Sequence, residues 1–332
     1  MSPQPAFRIY AGDGTKISQR DVELPLFRPF GQLDDPAHYV ADKGLRDAVN
    51  VALSLGHPLL VTGEPGTGKT QLASSVAWEL NLPEPLVFHT KTTSTAKDLF
   101  YRYDSLRHFH DSQFRKEEPS IEAYLAYEAL GLAILLSMEP RDADAFLPES
   151  LRGKGPVRSV VLIDEIDKAP RDLSNDVLNE IDKMSFIVKE SGRTFAADPR
   201  FKPILILTSN SEKNLPDAFL RRCVFFHIAF PDAHRLQEIV RRRLNLSSSF
   251  TPQMLESAIA QFQQIRSLPL KKKPATAECL AWLQVLENMR VNVTDLKPNQ
   301  VEALALSYSV LAKSQEDLQL MQRTFGERRG AG

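Results

Sequence analysis

The octet Gly63-Glu64-Pro65-Gly66-Thr67-Gly68-Lys69-Thr70 has the residue types and spacing of a loop that holds phosphate, G-x-x-x-x-G-K-[ST]. Its glycines let the backbone curl with N–H groups pointing inward, and a helix that follows turns its positive end toward the same anion. In that arrangement Lys69 reaches the β- and γ-phosphates of a nucleoside triphosphate and Thr70 gives its hydroxyl to Mg²⁺. The candidate nucleotide-contacting residues are Gly63, Glu64, Pro65, Gly66, Thr67, Gly68, Lys69, Thr70 and Gln71, together with Asp164.

Asp164 and Glu165 close the apolar run Val160-Val161-Leu162-Ile163. A buried strand ending in a carboxylate is where α/β ligand sites form, so Asp164 is expected beside Mg²⁺ with Thr70. A second carboxylate, Glu165, can orient and deprotonate a water for in-line attack on the γ-phosphate, which separates hydrolysis from other phosphoryl chemistry. Asp167 and Lys168 read as part of a solvated loop. Another apolar run, Ile204 to Leu207, leads into Thr208-Ser209-Asn210, and Asn210 can hold the attacking water or a γ-phosphate oxygen. Leu215-Pro216-Asp217-Ala218-Phe219-Leu220-Arg221-Arg222-Cys223 then brings two guanidiniums together, which can neutralise charge on a phosphoryl group held by a neighbouring subunit. Glu165, Asn210, Arg222 and Arg221 are the candidate catalytic residues.

These groups need a frame. Short apolar runs at Pro58–Thr62, Leu86–Thr90, Ser159–Ile163 and Ile204–Thr208 alternate with helical periodicity at Ala41–Leu55, Gln71–Leu80 and Arg171–Met184. Gly56 is a plausible helix stop. Alternation of this kind predicts an α/β fold, a three-layer αβα core with a parallel sheet covered on both faces. Two amphipathic stretches are expected between Ile121 and Met138, with Ala129–Met138 as a buried helix segment too short to span a bilayer. Phe186–Pro203 carries the turn pair Ser191-Gly192 and suggests a hairpin. After Phe230-Pro231-Asp232 only helical spacing remains, at Ala233–Leu244, Pro252–Ile265, Thr276–Met289 and Pro298–Phe325. The expected organisation is an irregular arm over 1–37, a nucleotide-binding core over 38–232 and a smaller all-helical domain over 233–332. Trp78 and Trp282 fall on apolar helical stripes and are expected in cores.

With 41 Lys and Arg against 42 Asp and Glu, no global field draws the chain to nucleic acid or an anionic membrane. Cys223 and Cys279 are far apart and support neither a disulfide framework nor a zinc site. No apolar leader follows Met1, and a cytoplasmic protein is expected. His108-Phe109-His110-Asp111 reads as a surface loop rather than a metal site, and the runs at Arg241–Arg243 and Lys271–Lys273 as solvated faces.

Taken in order, GEPGTGKT, VVLIDE, TSN and LPDAFLRRC resemble the Walker A, Walker B, sensor 1 and arginine-finger elements of AAA+ ATPases. The wording around them, ALSLGHPLLVTGEPGTGKT, VLIDEIDKAPRDLSNDVLNEID and LRRCVFFHIAFPD, resembles the MoxR-like branch over Val40–Asp232. That resemblance implies a P-loop ATPase working as a homo-oligomeric, hexameric ring that remodels or matures a protein client in the manner of a chaperone. ATP and Mg²⁺ are the implied cofactors, and a von Willebrand factor A-domain protein is the first partner to seek. It also implies a helix-2 insert within 91–158, a pre-sensor hairpin at 186–203, a helical lid and, as trans finger, Arg222 before Arg221. One departure stands: Lys273-Pro274 is followed by Ala275-Thr276, with no sensor 2 arginine, leaving Lys272 or Lys273 as the nearest cation. A small-molecule phosphotransferase, a nucleic-acid-handling AAA+ factor and an ATP-binding regulatory switch remain as alternatives.

Overall fold

A computed structural model describes residues 35–114, 120–170, 173, 178–210, 215–244, 250–296 and 298–326. Most of the expected arm, parts of the Arg171–Met184 segment and the chain's last residues lie outside that set. The chain forms two compact units, Ala41–Ala229 and a second made of Met1–Val40 with Phe230–Gly332.

The first unit is built on a five-stranded sheet in the order β2-β5-β8-β1-β9, with β1 Leu59–Gly63, β2 Leu86–His89, β5 Val160–Asp164, β8 Ile204–Ser209 and β9 Val224–Ile228. Every pairing in it is parallel. The residue pattern explains who sits where. β1, β5 and β8 are continuous apolar runs buried along almost their whole length, as strands covered on both faces must be. The edge strands β2 and β9 alternate between more and less exposed positions. The fold expected from the alternating sequence is therefore the one observed.

Helix α1, Lys43–Leu55, starts on the side chain of Asp42, which accepts from Leu45 N–H. It stops at Gly56 in the left-handed region (φ 62°), the stop the sequence suggests. Helix α2, Gln71–Glu79, follows the phosphate-loop octet directly and buries Leu72, Ala73, Val76 and Ala77. Trp78 is a correction: it is 61% exposed. It lies one turn from Ser74, on a stripe of α2 that the Leu72–Val76 and Ala73–Ala77 pairs do not share.

Between β2 and β5 the chain adds a two-stranded ribbon, β3 Tyr101–Tyr103 with β4 Leu125–Tyr127, around helix α3, Ser105–Phe114. Here the expectation of two amphipathic stretches fails in part. Ile121–Tyr124 is a 3₁₀ turn leading into β4, and α4, Ala129–Ser137, is buried almost all round rather than on one stripe. A helix so enclosed needs a small residue where backbones meet. Gly131 supplies it, since a Cβ there would stand 2.0 Å from the carbonyl oxygen of Phe100. Gly131→Ala is expected to cost about 3 kcal/mol and to lower the thermal midpoint by about 6–12 °C in calorimetry; an unchanged midpoint would contradict this packing.

Helix α5, Leu178–Lys183, leads into the hairpin of β6 Ser185–Val188 and β7 Arg193–Ala196, so the Ser191-Gly192 turn signal is a true one. The hairpin packs Phe186 on Phe100 with ring centroids 5.1 Å apart, and Phe195 on Phe146 at 4.9 Å. Polar ties add to this: the Tyr101 hydroxyl donates to Glu190 Oε2 at 2.8 Å and accepts from Lys189 N–H at 2.9 Å.

The second unit is helical, with Ala233–Arg243, Pro252–Ser267, Thr276–Asn288, Pro298–Ser307 and Gln315–Gly326. Trp282 is fully buried at its centre, and its indole N–H donates to Ser307 Oγ at 2.8 Å. The single helix expected over Pro298–Phe325 is broken by a 3₁₀ turn at Tyr308–Val310. Ser314 caps the restart, its Oγ accepting the Asp317 N–H at 3.2 Å. Asp317 is 2% exposed, and its carboxylate accepts the backbone N–H groups of Lys271 at 2.9 Å and Lys272 at 3.3 Å.

Candidate active site

Parallel strands in the order β5-β8-β1 set three carboxyl ends side by side, and these ends carry the motif residues. Gly63 closes β1, Asp164 closes β5, and Asn210 follows β8. Residues far apart in sequence thus meet because a hydrogen-bond ladder aligns the strands that carry them.

The loop after β1 makes its turn on glycine. Gly63, Gly66 and Gly68 have φ of 148°, 75° and 88°. A Cβ on Gly63 would also stand 2.5 Å from the carbonyl oxygen of Ile228 on β9. Thr67 Oγ1 closes the bend by donating to Glu64 O at 2.9 Å. Lys69 is 7% exposed and its ammonium donates to Gly63 O at 2.9 Å and Glu64 O at 3.0 Å. Burial pushes its pKa below the ordinary lysine value, against the pull of Asp164, Asp167 and Glu165. Pro65 lies within the same turn, and Thr70 and Gln71 open α2.

Thr70 Oγ1 donates to Asp164 Oδ1 at 3.0 Å, which places a hydroxyl and a carboxylate together at the loop's exit. Thr208, on β8, completes the arrangement: its hydroxyl donates to the same oxygen at 2.5 Å and accepts from the Glu165 N–H at 2.9 Å. One buried hydroxyl therefore fixes Asp164 and the backbone of the next residue. His89, level with Asp164 on β2, brings Nδ1 to 3.5 Å from Asp164 Oδ2. Hard oxygen donors of this kind suit Mg²⁺, which keeps several waters and takes few protein ligands. Thr70 and Asp164 fit that requirement.

Glu165 departs from the strand in the left-handed conformation (φ 56°, ψ 50°), unusual for a residue with a side chain. Asn210 Nδ2 donates to Glu165 Oε1 at 3.4 Å, a long contact, and the Lys168 ammonium pairs with Oε2. Asn210 N–H donates to Asp167 Oδ1 at 3.2 Å. Asp167 and Lys168 lie in a solvent-facing turn, as the sequence suggests, with Lys168 half exposed, and in addition they contact Asn210 and Glu165. The 3₁₀ turn Ile166–Lys168 folds them back beside Glu165, a placement that depends on the left-handed turn and has no pattern in the sequence.

Arg221 and Arg222 follow the short helix Asp217–Leu220. Arg222 Nε donates to Asp182 Oδ2 on α5 at 3.0 Å, while Arg221 is exposed. Burial pushes the adjacent Cys223 thiol up to about 12, which leaves it inert as a nucleophile at neutral pH. Reading the sequence missed Thr208, His89 and Asp182. Thr208 had a signal, a hydroxyl at the end of an apolar strand; the other two had none.

A search of curated proteins finds no match. Among solved structures, the chain is similar to the Thermotoga maritima RuvB Holliday junction branch migration motor, at 12% identity and a TM-score of 0.43, over 88% of this chain and 73% of that one. Among the described residues no helix is long and apolar enough to cross a membrane. A family model, the AAA domain of the dynein-related subfamily, matches residues 58–223, from the start of β1 to the cysteine after the arginine pair. With half of its length in that match, the chain belongs to the dynein-related subfamily of AAA domains.

Proposed function

We propose that this AAA protein hydrolyses ATP as a MoxR-like, homo-oligomeric, hexameric ring, and that the work of hydrolysis remodels or matures a protein client, a von Willebrand factor A-domain protein being the first to test. The observation that carries the hydrolytic reading is the division of labour between neighbouring acids. Asp164 is tied to Thr70 and Thr208, and Glu165 is turned out of the strand toward Asn210.

In this reading the loop Gly63–Thr70 and the start of α2 bind the triphosphate through main-chain N–H groups, and Lys69 exchanges its carbonyl partners for phosphate oxygens. Thr70 and Asp164 would hold Mg²⁺, which would supply charge neutralisation for the phosphates. Glu165 accepts the proton of a water that Asn210 helps to orient. Arg222 serves the site of the next subunit.

The contact of Asn210 with Glu165 supports hydrolysis, since a carboxylate beside an amide can take a proton from a water that the amide orients. A regulatory switch that binds ATP without turning it over is the second reading, motivated by Ala275 and Thr276 where an arginine would stand.

The test is specific activity against protein concentration, with oligomeric state followed by light scattering on the same samples. Specific activity is expected to fall as the protein is diluted through ring dissociation. A flat profile across that range refutes sharing of sites, and an absence of Mg²⁺-dependent turnover at every concentration favours the switch.

A further inference from the structure

A guanidinium presents five N–H donors in a planar fork. In Arg222 two of them have partners in its own subunit: Nε–H donates to Asp182 Oδ2 at 3.0 Å and an Nη1–H donates to Ala218 O at 2.9 Å. Among the described residues the other three donors, on the Nη1 and Nη2 side of the fork, have no partner, and they are enough for a bidentate contact with a phosphate. The side chain of Arg221, one residue earlier, is exposed and has no such partner among the described residues.

We infer that Asp182 is the positioning residue that aims Arg222, and that it decides which of the two adjacent arginines is offered to a neighbour's phosphate. The inference rests on the proposed role of that arginine as a trans finger. Arginine is a long side chain with large rotamer freedom, and an anchor at Nε fixes the plane of the fork before any phosphate arrives. The two side chains are 42% and 48% exposed, so the pair is a weak staple for the fold. Its loss belongs in turnover rather than in melting. Asp182 also sits on α5, between the loop of Glu165 and strand β6, so the group that aims the arginine is carried by the segment joining the active acid to the hairpin.

The experiment compares Asp182→Ala, Asp182→Glu and Arg222→Ala as full-length protein, reading kcat and KM for ATP, melting, and activity in mixtures. Asp182→Ala is expected to lower kcat about tenfold or more, the scale of a misplaced catalytic group, with KM and melting little changed; Asp182→Glu recovers most of it. Mixing Asp182→Ala with Lys69→Ala restores turnover, because the second variant keeps a well-aimed arginine to donate. Mixing it with Arg222→Ala does not, because neither donates well. Added to Arg222→Ala, the Asp182→Ala change has no further effect.

If Arg222→Ala is inactive while Asp182→Ala turns over as fast as wild type or faster, the positioning inference is overturned and the finger survives. If Arg222→Ala keeps full activity, the finger reading itself fails. Asp182→Asn, which preserves shape, replaces the alanine variant should that one not fold.

Discussion

Glu165→Gln is expected to hold ATP and Mg²⁺ while hydrolysing about 10²–10⁴ times more slowly than the parent chain, the usual contribution of a positioned proton acceptor. The amide has the same shape and can still take a hydrogen bond from Asn210 Nδ2, but it cannot accept water's proton. The change also removes the charge that pairs with Lys168, an exposed contact whose loss has little effect on stability. The left-handed backbone at this position disfavours glutamine as much as glutamate, so the fold is not relieved or strained further. Single-turnover hydrolysis and retention of a fluorescent ATP analogue measure the two halves separately. A variant that hydrolyses at a tenth of the normal rate or better would remove Glu165 from the role of base and leave Asp164 to be reconsidered.

Arg222→Ala is expected to reduce turnover by roughly 10³–10⁵, the range for a guanidinium that neutralises charge in phosphoryl transfer, with nucleotide affinity within about twofold of the parent. The residue lies beyond β8 and is tied to Asp182 and Ala218, not to any group of its own phosphate loop. Its effect on its own nucleotide is therefore expected to be small and, on the proposed finger role, its effect on a neighbour's large. Steady-state rates with parallel binding curves check this. Equal losses of affinity and rate would place Arg222 in its own subunit's site.

What the sequence made legible follows its chemistry. Short apolar runs at 58–62, 159–163 and 204–208 announced the buried central strands, to within a residue of their observed ends, because a strand covered on both faces has no polar side to alternate. Gly56 and Ser191-Gly192 announced a helix stop and a hairpin because few other residues accept those backbone angles. Legibility ended where a side chain's place depends on a neighbour brought in by the tertiary fold. Asp167 and Lys168 are solvated turn residues, but nothing local to them announces the contacts with Asn210 and Glu165 that follow from the left-handed turn at Glu165. Trp78 looks like core until the helix's true buried stripe is known. Asp182 has no local pattern at all, since its partner lies on an element forty residues away.

The register of β5, β8 and β1 has a longer reach than any one side chain in the site. Its ladder is made of peptide groups, which are the same whatever residues project from the sheet. Residues on the outward faces of the covering helices can therefore change without disturbing how the three motif ends line up.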